Sequence, residues 1–266
     1  MPHSVRRTLS RNLALFLAGA GALALAACND AAKETSADAV VQPGGPVQMA
    51  QAETSSGDAA KPAAPASEAT APAVSAANAP EPSGSVDVDK LMAEEALPDV
   101  VVGQKDAPVT IVEYASMTCP HCAHFHSTAY PVIKKNYIDT GKAKLILREF
   151  PFDPRALAAF MLARCAGDDA RRTAMVDVLF DQQDEWSHSQ NASAALLKIA
   201  RLAGMSEEGF KACLNDKDLQ QKIVEVQQRG ENTFGVDATP TFFVNGDKYS
   251  GALTPEEMSA VIEGHL

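Results

Sequence analysis

Residues 117–126 read MTCPHCAHFH. Cys119 and Cys122 flank a Pro-His pair, and His124 and His126 follow within one helical turn. Two thiols at this spacing either trade electrons or, with the histidines, hold a soft metal. The flanking sequence separates these possibilities. Val109 to Ala115 (VTIVEYA) is a near-continuous apolar run rich in β-branched residues, the pattern of a buried central strand. A helix is predicted from Cys119 to about Ile138, ended by Gly141. Cys119 therefore falls at a helix N-terminus, where unpaired N–H groups and the helix dipole stabilise a thiolate. Pro120 suits the first helical turn, where its missing N–H costs nothing. Cys122 lies one turn on, within bridging reach.

The pattern continues outward. Val86 to Leu97 is predicted as a leading helix, Asp99 to Val102 as a first strand, and Ala143 to Glu149 (AKLILRE) as the strand after the helix that begins at Cys119. Helical periodicity then runs from Arg155 to Phe234. Strand character returns at Thr241 to Val244, and Asn245-Gly246 supplies a tight hairpin turn into Asp247 to Ser250. Thr254, Pro255 and Glu257 form the start signal of a closing helix. Strand, helix, strand, helical block, hairpin, helix is an α/β order of the thioredoxin-like kind, with a helical insertion at about 155–234.

The stretch APVTIVEYASMTCPHCAHFH (107–126) resembles the active-site region of the DsbA-like branch of the thioredoxin superfamily. GVDATPTFFVNG (235–246) resembles the same branch's cis-proline loop. The resemblance extends from about Asp87 to the end of the chain. It implies that Cys119 is the nucleophilic sulfur, Cys122 its buried partner, and Pro120 and His121 the dipeptide that tunes redox poise. It also implies that Thr239 precedes a cis bond to Pro240, which faces the disulfide, and that Thr239 offers backbone groups to an extended substrate. A donor or positive charge on His121 would stabilise the Cys119 thiolate and make the disulfide a stronger oxidant. Glu113 stands six residues before Cys119 on the apolar strand, either turned outward or buried beneath the site. The resemblance gives it a part in moving the Cys122 proton, with a structural hydrogen bond as the rival role. Some DsbA-like proteins carry a second disulfide in the insertion, which implies a Cys165–Cys213 bridge. A loop of that length is worth about 4 kcal/mol in the chain-entropy treatment. Trp186 reads as a packing residue of the insertion.

His126 could share a helix face with Cys119 and Cys122, a ligand set suited to zinc or copper. A thioredoxin-like fold turns that face inward, so no metal is expected; one of His124 and His126 should pack and the other remain solvated.

The N-terminus addresses the chain to the cell envelope. His3, Arg6, Arg7 and Arg11 precede an apolar run from Leu13 to Ala27, too short for a comfortable membrane span and typical of an export signal. Leu25-Ala26-Ala27-Cys28 resembles a bacterial lipobox, which implies acylation of Cys28; an ordinary cleavage site is the alternative. The general secretory route fits better than a twin-arginine one. Disulfides persist outside the cytoplasm. Setting Cys28 aside leaves Cys119, Cys122, Cys165 and Cys213, an even number that suggests two pairs. Residues 29–86 contain no Leu, Ile, Phe, Tyr or Trp and are filled with Ala, Pro, Ser and Gly. Their composition predicts a disordered tether, spanning roughly 40–45 Å as a flexible coil. The chain carries a formal charge of −11, and without the leader's three arginines −14. Such a chain is a poor partner for nucleic acid.

These readings converge on a lipid-anchored, monomeric, cofactor-free thiol:disulfide oxidoreductase of the periplasm, acting as an oxidase. Its expected partners are reduced, unfolded exported proteins and a membrane quinone-linked reoxidase. A disulfide isomerase or reductase is the enzymatic alternative. Family isomerases rely on an N-terminal dimerisation domain, and residues 29–86 lack the apolar side chains to build one. A copper- or zinc-binding protein is the alternative of another class.

Overall fold

β3 (Val109–Ala115) runs through the middle of a six-stranded sheet. The computed structural model describes residues 78–266; Cys28, the 1–28 leader and all but the last residues of the 29–86 segment lie outside them. β3 pairs in parallel with β4 (Ala143–Glu149) and antiparallel with β5 (Thr241–Val244). β6 (Asp247–Ser250) follows β5 through a turn in which Asn245 and Gly246 both have positive φ. β1 (Gly84–Ser85) and β2 (Val101–Gly103) close the two edges, giving the order β1-β6-β5-β3-β4-β2.

Strand alternation divides the core. Val109 and Ile111 face a layer formed by α2 (Pro120–Ile133) and the last helix, α9 (Pro255–Gly264). Val112 and Tyr114 face the other layer, built by the insertion. That block comprises α3 (Pro154–Arg164), α4 (Asp169–Asp181), α5 (Gln183–Ser187), α6 (Ala192–Leu202), α7 (Glu207–Asn215) and α8 (Lys217–Phe234). α9 begins with the capping box expected from Thr254 and Glu257. α2 continues as one π-helical turn, Lys134–Ile138, just after Pro131 withdraws a backbone donor. Among the described residues no helix is long and apolar enough to cross a membrane.

Three boundaries differ from the sequence expectation. The leading helix is a single turn, α1 (Val88–Leu91), capped by Asp87. The first strand starts at Val101, because Asp99 pairs with Arg148. The ordered fold begins before Asp87. Ser83 N–H donates to Lys248 O (2.8 Å) and Val86 N–H to Gly246 O (2.8 Å), while Ala79 packs on the core. Edge pairing runs through the backbone, so composition gave no warning of it.

Buried charge ties both the segment ahead of β2 and the insertion to β4. Arg148 on β4 reaches Asp99 (2.7 Å), Glu95 (3.0 Å) and the Tyr114 hydroxyl (3.1 Å). Its neighbour Glu149 is buried between Arg164 (2.7 Å) and Arg172 (2.9 Å). Burial alone would raise the Glu149 pKa, but the two guanidinium groups hold it down near about 2. Cys165, just after α3, and Cys213 on α7 are joined in a disulfide that closes 48 residues of the insertion. Trp186 is fully buried in the same block and donates to Leu179 O (2.8 Å).

Gly230 on α8 passes so close to β3 that a Cβ there would stand 2.6 Å from the Tyr114 ring. That ring is fully buried and edge-packed by Phe150 and Phe243. Gly230→Ala should gain about 1 kcal/mol of helix propensity but lose about 1–3 kcal/mol to overpacking. Denaturant unfolding should therefore show a less stable protein. A variant as stable as the wild type would mean that the ring yields freely.

Candidate active site

Cys119 is the N-cap of α2, with φ −78° and ψ 119°, and Pro120 occupies the first helical turn. The chain reaches this point from β3 through Ser116–Thr118, where Cys119 N–H donates to Ser116 O (3.0 Å). Two insertion residues steady the loop. Gln183 Nε2 donates to Met117 O (2.8 Å) and Cys119 O (3.0 Å), and the Thr118 hydroxyl donates to Asp153, the N-cap of α3. Neither Gln183 nor Thr118 was legible as a site residue, since a lone polar residue beside a helical stripe carries no signal.

Both site cysteines are free thiols, Cys119 half-buried and Cys122 fully buried. Cys119 is pulled down to about 5, first by the hydrogen bond from the Cys122 thiol. Burial opposes this, while Thr239 and the N–H groups of Cys122 and His121 assist it. Those N–H groups lie near the sulfur without closing a capping hydrogen bond. The Cys119 thiol donates to Thr239 O (3.2 Å). The Thr239 hydroxyl is buried with no other partner, free to donate once the sulfur is a thiolate. The Thr239–Pro240 peptide is cis, as the sequence resemblance implied. Cys122 is pushed far above the ordinary thiol range by burial, by its hydrogen bond to Cys119 and by the Glu113 carboxylate. At neutral pH the pair is thus one thiolate, at Cys119, and one thiol, at Cys122.

The His121 imidazole is exposed and makes no hydrogen bond among the described residues; what His121 brings to the sulfur is its backbone N–H.

Glu113 is fully buried on the α2 face of β3, opposite Leu147 and Phe242 in the sheet. One carboxyl oxygen meets His126 Nε2 at 3.0 Å; the other has no partner. His126 is the packed histidine and His124 the exposed one. The ligand set drawn from spacing is not assembled, because His126 turns to Glu113, and the described residues contain no group of three or more His, Cys, Asp or Glu placed to hold a metal.

Residues 95–264 match the thioredoxin family, and the chain belongs to it. It is 34% identical to alpha-DsbA1 of Wolbachia pipientis, with a TM-score of 0.62 over 67% of this chain and 95% of that one. BdbD of Bacillus subtilis shares the fold at 22% identity, with a TM-score of 0.58 over 70% of this chain and 98% of that one. A Rickettsia bellii protein provisionally named a protein-disulfide oxidoreductase is 40% identical over 148 residues, covering 56% of this chain and 57% of that protein. The chain thus spans little more than half the length of the curated relatives it matches.

The pH dependence of stability has a defined sign. Cys119 ionises near 5 in the folded protein against 9.0 for an ordinary thiol. The stability it lends the reduced form is complete above about pH 9 and is lost as pH falls through about 5. Lowering the pH through that window should destabilise the reduced form relative to the oxidised one, read as a closing gap in melting temperature. Thiolate absorbance should titrate near pH 5, and Cys122→Ala should move that midpoint upward. A midpoint near 9 in the wild type would contradict the assigned asymmetry.

Proposed function

We propose that the protein is a thiol:disulfide oxidase of the bacterial periplasm. The observation that carries this reading is the inequality of the two thiols. A stabilised Cys119 thiolate favours the reduced enzyme, so the Cys119–Cys122 disulfide readily accepts electrons. A substrate thiolate attacks Cys119, and Cys122 leaves as the mixed disulfide forms. A second substrate thiolate then attacks the substrate sulfur and releases Cys119 as its stabilised thiolate. The substrate gains a disulfide and the enzyme becomes a dithiol. Thr239 and Pro240 border the nucleophile, where an extended substrate can pair with the Thr239 backbone.

The substrates in this reading are reduced, unfolded exported proteins, and a quinone-linked membrane protein takes the electrons onward. The enzyme acts as a monomer, tethered through acylated Cys28. Support for the location comes from the leader and lipobox; support for the direction of electron flow comes from the thiol pair.

Equilibration with glutathione tests the direction. Thioredoxin lies near −270 mV and DsbA near −120 mV, and a tenfold change in the equilibrium is about 30 mV. A potential above about −200 mV, together with oxidation of a reduced unfolded protein, is expected; one near −270 mV would make the protein a reductant. The anchor is tested separately. Cys28→Ser should shift the protein from the membrane to the soluble fraction or block its processing. Unchanged cleavage and fractionation would remove the lipid anchor.

A further inference from the structure

Cys122 leaves as a thiolate in a fully buried site, so it must acquire a proton that bulk water cannot deliver directly. Glu113 is the carboxyl whose charge bears on Cys122, but Glu113 is itself fully buried. A buried acid that works every turnover needs its own connection to solvent. Among the described residues the one polar partner of Glu113 is His126, through Nε2 at 3.0 Å. The opposite ring nitrogen, Nδ1, is buried and without a partner. Two spaces meet this ring. A cavity of about 20 Å³ is bordered by His126, Tyr130, Arg172 and Asp177, room for one water. A cleft of about 380 Å³ between α2 and α4 is lined by His126, Tyr130, Lys134, Asp177 and Asp181 and opens to solvent.

We propose that His126 is the proton relay of the redox centre, linking Glu113 to water in the cleft between α2 and α4. As the Cys119–Cys122 bond breaks, its electron pair passes to Cys122 Sγ. Glu113 takes a proton from His126 Nε2 and hands it to that sulfur. Nδ1 is refilled from water in the cleft, which draws on bulk buffer. The sequence reverses when Cys122 gives up its proton for reoxidation.

The surroundings suit the task. Phe180 of α4 stacks on the ring at 4.2 Å and 19° between planes, fixing its orientation. The charged neighbours come from each packed element. Glu113 lies on β3, and Tyr130 and Lys134 lie on the redox helix and its extension. Asp177, Asp181 and Arg172 lie on α4, with Arg172 engaged by Glu149 and Lys134 by Asp139. Asp177 is raised by burial and held back by His126 and Lys134, so it faces the ring as an acid on the solvent side. An acid on each side of a fixed imidazole is the arrangement a two-way relay needs.

This inference rests on the oxidoreductase reading, and the experiment separates the two. Oxidised protein is mixed rapidly with a reduced two-cysteine peptide, and the exchange rate is followed against pH. His126→Gln retains an N–H for Glu113 but cannot relay a proton. Its rate should fall about tenfold or more, with an altered pH profile, while its glutathione equilibrium changes less than twofold. In His126→Ala, added imidazole should restore part of the lost rate and leave the wild type unaffected. A His126→Gln protein with the wild-type rate and profile would overturn the relay. So would parallel loss of rate and equilibrium poise in both variants without an imidazole response, since that is the mark of a packing role. A wild type that exchanges with no peptide thiol would overturn the oxidoreductase reading along with it.

Discussion

The hydrogen bond between the Cys122 thiol and the Cys119 sulfur sets the terms for the rest of the molecule. It requires one sulfur at the helix end, half-open to solvent, and the other fully enclosed one turn further on. That difference in burial follows from β3, whose buried course fixes where α2 starts and which of its faces turns inward. The same bond draws the two ionisations apart, because the proton kept by Cys122 is the one that stabilises charge on Cys119. Reactivity and fold are thus consequences of one placement.

The insertion does more than cover the sheet. Gln183 and Asp153 hold the loop ahead of Cys119, and Phe180 holds His126. The block is in turn held to β4 by Glu149, buried between Arg164 and Arg172, while Arg148 holds the segment ahead of β2 through Glu95 and Asp99. Such pairs contribute little net stability when compared with apolar replacements, but removing one partner strands a buried charge. They therefore constrain where the insertion can sit on the sheet, and with it the groups that frame the redox centre.

Much of this was legible before any coordinates. The β3 run, the hairpin at Asn245-Gly246 and the capping box at Thr254 are local signals, and each element appears where its chemistry places it. The thiol pair and Thr239-Pro240 were readable because their motifs are short and specific. The part played by the His121 backbone N–H was not readable, since sequence does not show which backbone groups lie near a sulfur. Nor was the pairing of Glu113 with His126, thirteen residues apart and on different elements. That contact depends on a strand face meeting a helix face, information held only in the packing. The short α1 and the late start of β2 have a similar cause, because Glu95 and Asp99 were claimed by Arg148, far downstream on β4.

The two-residue strand β1 gains another meaning beside these features. Gly84 and Ser85 bury no side chain, yet they occupy the outer edge of β6 and satisfy backbone groups that would otherwise face solvent. An unpaired edge is a template for any extended chain that drifts past. A protein whose proposed clients are unfolded would meet such chains continually, and an open edge would trap them far from the cysteines. By blocking that edge with its own backbone, the chain leaves fewer places where a visitor can dock as a strand. In this light the N-terminal segment is a guard against unproductive adhesion.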